Sequence, residues 1–228
     1  MGPIGDPSSG FSQVPSTLHG RLFLLAFDPM SRRFDGYDAT LFGFALRAAM
    51  LTDLHLQGFL MERAGWPVPA RAASPDNPIL RAAFAQVGVH NRTTWAQLVV
   101  GNEHEAISAV REQLVNEGWL RTRQHNGFAV SDARLEPYDE SRVGALADEA
   151  RGALRQAIAG FPVEPWSLAC GLLAALAELT VMVDFAPHVQ RGDRLAELAT
   201  GALAPISGLI EAVRIRRRGT PRMAGGSS

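Results

Sequence analysis

The chain has 228 residues, of which 46% are hydrophobic and 20% charged, with a formal net charge of −1. That length is enough to bury a proper core, as one large domain or two small ones. The near-neutral balance excludes binding to nucleic acid or membrane by bulk charge, so any such binding has to come from a local patch. A single cysteine, Cys170 in the apolar run LACGLLAALA, excludes an intrachain disulfide and fits a reducing interior.

Residues 1–18 are rich in Gly, Pro and Ser and lack the cationic start and apolar centre of a signal peptide, so they are expected to form a disordered tail. Residues 19–213 are expected to form one helical domain, and 214–228 a basic, then glycine-rich tail. Arg21–Phe27 is a dense apolar run that fits a strand or a first helix. A helix is expected from Asp38 or Thr40, either of which can cap it, to about Gln57, with Gly58 as its stop. Its sequence from Phe42 to Leu60 is apolar nearly all round, the mark of a core helix, yet it carries Arg47. A cation in such a helix must be paired or must reach a surface anion.

Next, Phe59–Glu62 and Val68–Arg71 read as the arms of a turn at Ala64–Pro67, with Pro67 and Pro69 confining the second arm to an edge. Short helices are expected over Asn77–Val87 and Thr94–Val100. An amphipathic helix follows over Glu103–Glu117, with Ile107, Val110 and Leu114 on its stripe and Gly118 at its end. Trp119–Arg123 and Phe128–Ser131 are expected to pair across QHNG, where Asn126-Gly127 is a strong turn signal. Helices over Ser141–Ile158, Trp166–Phe185, Arg194–Ala204 and Ile206–Arg216 complete the chain, with Ser167 read as the cap of the second core helix. The apolar stretch 167–183 is interrupted by Glu178 and fits a buried helix better than a membrane span.

Signals for catalysis are absent from the sequence. The six histidines lack zinc-helix spacing, and with one cysteine a structural zinc site is not supported. No phosphate loop and no nucleophile elbow is present. The expectation is therefore a non-enzyme without cofactors. Two binding chemistries remain open. Helix, turn, helix and hairpin over residues 93–130 is the order of a winged helix, in which Arg111, Arg121 and Arg123 would meet phosphates. Against DNA stand Glu103, Glu105, Glu112 and Glu117 on the would-be recognition helix. Alternatively, Phe128 and Val130 would dip into a membrane interface while Arg121, Arg123 and Arg134 meet anionic headgroups.

The stretches RLFLLAFDPMSRRF, FALRAAMLTDLHLQGFLME, REQLVNEGWLRTRQHNGFAV and WSLACGLLAALAELTVMV, in this order and spacing, resemble the Golgi phosphoprotein 3 family (the GPP34 domain), in the form of its many actinobacterial members. The resemblance covers roughly residues 20–212. It implies a mainly α fold with a buried helical core wrapped by amphipathic helices, plus short β-hairpins. It also implies a cytoplasmic, non-catalytic adaptor that sits peripherally on the inner face of a membrane, binds anionic phospholipid of the phosphatidylinositol 4-phosphate type and holds protein partners. Carried over residue by residue, Arg47 matches the pocket arginine and Tyr37 replaces the pocket tryptophan. Phe128, Ala129 and Val130 match the inserting hairpin. The two other pocket arginines of the family fall near His104 and Ile107, with Arg111 the next cation. A winged-helix regulator and a protein scaffold without lipid binding are the alternatives.

Overall fold

The structure, a computed structural model, describes residues 14–34, 36–89, 93–124, 133–185, 197–198 and 203–219. Within them the protein is mainly α-helical with two antiparallel hairpins. The helices are α1 (Leu18–Leu25), α2 (Ala39–Leu56), α3 (Pro78–Val89), α4 (Trp95–Val99), α5 (Glu103–Asn116), α6 (Glu140–Ile158), α7 (Pro165–Leu176) and α8 (Ala204–Gly219). The strands are β1 (Leu60–Arg63), β2 (Trp66–Pro69), β3 (Leu120–Gln124) and β4 (Ala133–Pro137).

α2 is the hub because it is apolar on every side. Leu41, Phe42, Leu46, Met50 and Leu54 are among its buried residues, and it packs against α1, α3, α5, α7 and α8. Asp38 caps it by accepting from the Leu41 amide. Its end is a Schellman closure: Gly58 N–H donates to His55 O and Phe59 N–H to Leu54 O, with Gly58 at φ +71°. α5 ends in the same way at Gly118 and α6 at Gly160. α7 uses this closure too, but with Glu178 at φ +56°, a conformation that costs a side-chain-bearing residue. The second core helix is therefore shorter than expected, stopping at Leu176, with a 3₁₀ turn at Thr180–Met182. Its cap is Glu164, which accepts from the Ser167 amide, while Ser167 donates its hydroxyl to Glu149 on α6.

Arg21–Phe27 resolves as helix, the greater part of it within α1. The first hairpin turns at Ala64 and Gly65, both left-handed, as a two-residue connection requires. In the second hairpin the partner of β3 is Ala133–Pro137, in the register Leu120↔Pro137 to Gln124↔Ala133, and not the arm expected at 128–131, which lies outside the described residues. Most of the expected helix over 194–204 falls outside them as well. Cys170 is buried in α7, and burial pushes its thiol up to about 12, which leaves it without thiolate reactivity.

One polar cluster is sealed within the core. His19 on α1 and Asp53 on α2 are both 0% exposed. Asp53 accepts the Leu18 amide on both oxygens, at 3.1 and 2.9 Å, and meets His19 Nδ1 at 3.2 Å. His19 Nε2 lies 3.2 Å from Gln113 Oε1 on α5, and Gln113 Nε2 donates to Glu117 at 2.6 Å. The Glu117 carboxylate thus sets the Gln113 amide, whose oxygen in turn requires a proton on His19 Nε2. Nδ1 and Asp53 Oδ2 share a hydrogen bond at the sealed end of the network. Burial raises the Asp53 pKa, opposed by the His19 and Leu18 hydrogen bonds.

Candidate functional site

Gly43 and Arg47 lie one turn apart on the same face of α2. A Cβ on Gly43 would come within 2.3 Å of the Glu103 Cβ and 2.8 Å of its Cα, so α5 begins in near contact with the α2 backbone. That approach places the next turn of α5 beside Arg47. The short helix α4 closes the other side: its Leu98 carbonyl, left without a partner at the helix end, accepts from Arg47 Nε at 2.9 Å and from Nη2 at 2.5 Å. Nη2 also donates to Gln86 Oε1 on α3, at 2.7 Å. Arg47 therefore ties α2, α3 and α4 together.

These bonds use three of the five guanidinium N–H groups, leaving the two on Nη1 without a hydrogen-bond partner among the described residues. Arg47 is half-buried and opens into a groove of about 280 Å³. Met50 and Ile79 contribute to its apolar lining, and Gln86, Asn102 and Glu105 supply polar groups. Burial draws the Arg47 pKa below the usual arginine value, and Glu103 and Glu105 pull it back up without forming an ion pair among the described residues. Asn102 is left-handed (φ +50°) at the head of α5, and its side chain makes no capping bond. The groove can hold a small polar ligand with an anionic end.

The other expected site residues lie elsewhere. Tyr37 sits before the head of α2, its ring 4.2 Å from that of Phe42, whereas Arg47 is roughly 12 Å further along the helix. The adjoining Asp38 is held by Arg216 of α8 at 3.0 and 2.9 Å. His104 is exposed on the first turn of α5. Arg111 lines a separate depression with Glu112, Asn116 and Thr122. The Arg47 groove includes none of Tyr37, His104 and Arg111. Phe128, Ala129 and Val130 lie outside the described residues. Arg121 and Arg123 both reach Glu136, at 3.7 and 3.6 Å, from exposed positions where such pairs contribute little.

Sequence reasoning missed Gln86, Leu98, Asn102 and Glu105 as neighbours of Arg47, because they come from three segments that only the tertiary fold assembles. A second cavity, of about 540 Å³, lies between α1, β3 and the head of α6, with Leu24, Trp119 and Tyr138 on its walls. Among the described residues no cluster of three or more His, Cys, Asp or Glu side chains could hold a metal ion. Among the same residues no helix is long and apolar enough to cross a membrane.

No curated protein matches the chain. A model of the Golgi phosphoprotein 3 (GPP34) family matches residues 18–214, from the first residue of α1 into α8. The chain therefore belongs to the Golgi phosphoprotein 3 (GPP34) family.

Proposed function

We propose that the protein is a non-catalytic, peripheral membrane adaptor that takes an anionic lipid headgroup on Arg47. The observation carrying this reading is the half-buried guanidinium with two N–H groups unclaimed by the described residues and no carboxylate paired to it. The two Nη1 N–H groups diverge, so each can donate to a separate acceptor, one of them a phosphate oxygen. The three bonds to Leu98 and Gln86 hold the guanidinium rigid, so little side-chain entropy is lost on binding. The apolar cavity beside Trp119 and Tyr138 is the second surface that an adaptor needs for a protein partner.

Duplex DNA is the competing reading, since α4, α5 and the β3–β4 hairpin follow the winged-helix order. The surface of α5 argues against it. Glu105 and Glu112 are exposed there beside Arg111, and carboxylates on a recognition helix repel the phosphodiester backbone. Co-sedimentation with vesicles, with and without anionic lipid, tests the proposal. The expected result is binding that requires anionic lipid and falls at least about tenfold in Arg47→Ala. Binding that ignores lipid charge removes the lipid reading, and unchanged binding by Arg47→Ala removes this groove from it.

A further inference from the structure

The groove that holds Arg47 also holds a carboxylate, and an anion alone does not account for that. Glu105 lines the same groove as the guanidinium and raises its pKa, yet the two are not joined by an ion pair among the described residues. A bare phosphate on Arg47 would face Glu105 in the same small space and be repelled by it. We infer that the groove is built for a small zwitterion, a phosphate ester carrying a primary ammonium, with the phosphate on Arg47 and the ammonium on Glu105. The inference rests on the reading of Arg47 as a headgroup site and names the headgroup class.

Three further observations agree. First, about 280 Å³ is at the small end of ligand cavities and has room for a phosphate and a short amine. Second, the Asn102 side chain makes no capping bond although it stands at the head of α5, where an asparagine normally caps. Asn102 lines the groove together with Arg47 and Glu105, so its amide is available to hydrogen-bond to such a ligand. Third, Ala82, Ala106 and Ala109 bring the walls close without filling the space, so a two-carbon spacer finds an apolar surface to lie on. Glu105 also lies in the first turn of α5, where any carboxylate stabilises the helix dipole. The experiment therefore has to separate ligand contact from helix stability.

The test uses the full chain and vesicles with a fixed fraction of phosphatidylglycerol, the remainder being phosphatidylcholine or phosphatidylethanolamine. The expected result is about threefold tighter binding on the phosphatidylethanolamine vesicles, the size of one exposed charge pair. Glu105→Gln should lose that preference and, with the repulsion gone, bind phosphatidylglycerol vesicles at least as tightly as the unmodified protein, its fold unchanged by thermal melting. Equal binding to both vesicle types, or a preference that survives in Glu105→Gln, overturns the inference and leaves the anionic-lipid reading standing. Failure to bind any vesicle overturns that reading itself. Competition with soluble O-phosphoethanolamine against glycerol 3-phosphate separates the sources. Selective binding of the soluble amine by a protein that ignores vesicles upholds the ligand chemistry and overturns the membrane.

Discussion

α2 carries two charges in an otherwise apolar sequence, and the fold treats them oppositely. Asp53 is sealed: both its oxygens accept, its histidine partner is buried with it, and the network ends on Glu117. Arg47, less than two turns earlier, is anchored on one side only and faces a groove on the other. A carboxylate sealed from solvent and held by partners within the fold is architecture, because no ligand can reach it. A partly buried charge with donors to spare is a place where a ligand can replace water. The two sites thus separate stability from binding along a single helix.

The largest effect should come from the sealed site. Asp53→Ala leaves His19 and the Leu18 amide buried without their acceptor, and should cost about 3–5 kcal/mol in urea unfolding, as for breaking a buried pair. A loss below about 1 kcal/mol would mean that the cluster is not sealed. Next, Gly43→Ala forces α5 away from α2 and should destabilise by about 1–3 kcal/mol, after any gain in helix propensity. It should also weaken vesicle binding, because the same contact sets the far wall of the groove. Arg47→Ala leaves the carbonyl of the buried residue Leu98 without its donors. It should cost about 1–3 kcal/mol in stability, less than Asp53→Ala, while removing most lipid binding. Equal losses of stability from Asp53→Ala and Arg47→Ala would dissolve the contrast.

The smallest effect concerns the head of α2. The Arg216 and Leu41 hydrogen bonds hold the Asp38 carboxyl below its usual 3.8. A depressed carboxyl contributes stability that is present above the unfolded value and lost as pH falls through the folded one. Acid melting should therefore show a small loss below about pH 4 that is absent in Asp38→Asn, with no change near neutral pH. A step of the same size in the variant would place the acid sensitivity elsewhere.

Much of the scaffold was legible because its signals are local. Asp38, Gly58 and Gly118 mark helix ends by capping and left-handed geometry, and they stand where those rules put them. The end of α7 was not legible, since a glutamate occupies the left-handed position that usually takes glycine. The strand paired with β3 was displaced from the expected arm even though Asn126-Gly127 advertises a tight turn: register was decided by the pairing of Leu120 with Pro137 and of Tyr138 N–H with Trp119 O. Asp53 was visible in the same apolar helix as Arg47 and was overlooked, although a lone carboxylate there requires a partner as strictly as a lone cation does.

Composition and periodicity by themselves determined a helical protein with α2 and α7 at its centre, a buried unreactive thiol and a cation stranded in a core helix. Those follow from side-chain chemistry and residue spacing, which act over a few turns. Which charge would be sealed and which left open was decided only by tertiary packing. Gly43 lets α5 approach α2, α4 ends with a bare carbonyl beside Arg47, and Glu105 arrives from another segment to line the same groove. Such distances between segments far apart in sequence are set by how helices pack, and no local pattern encodes them.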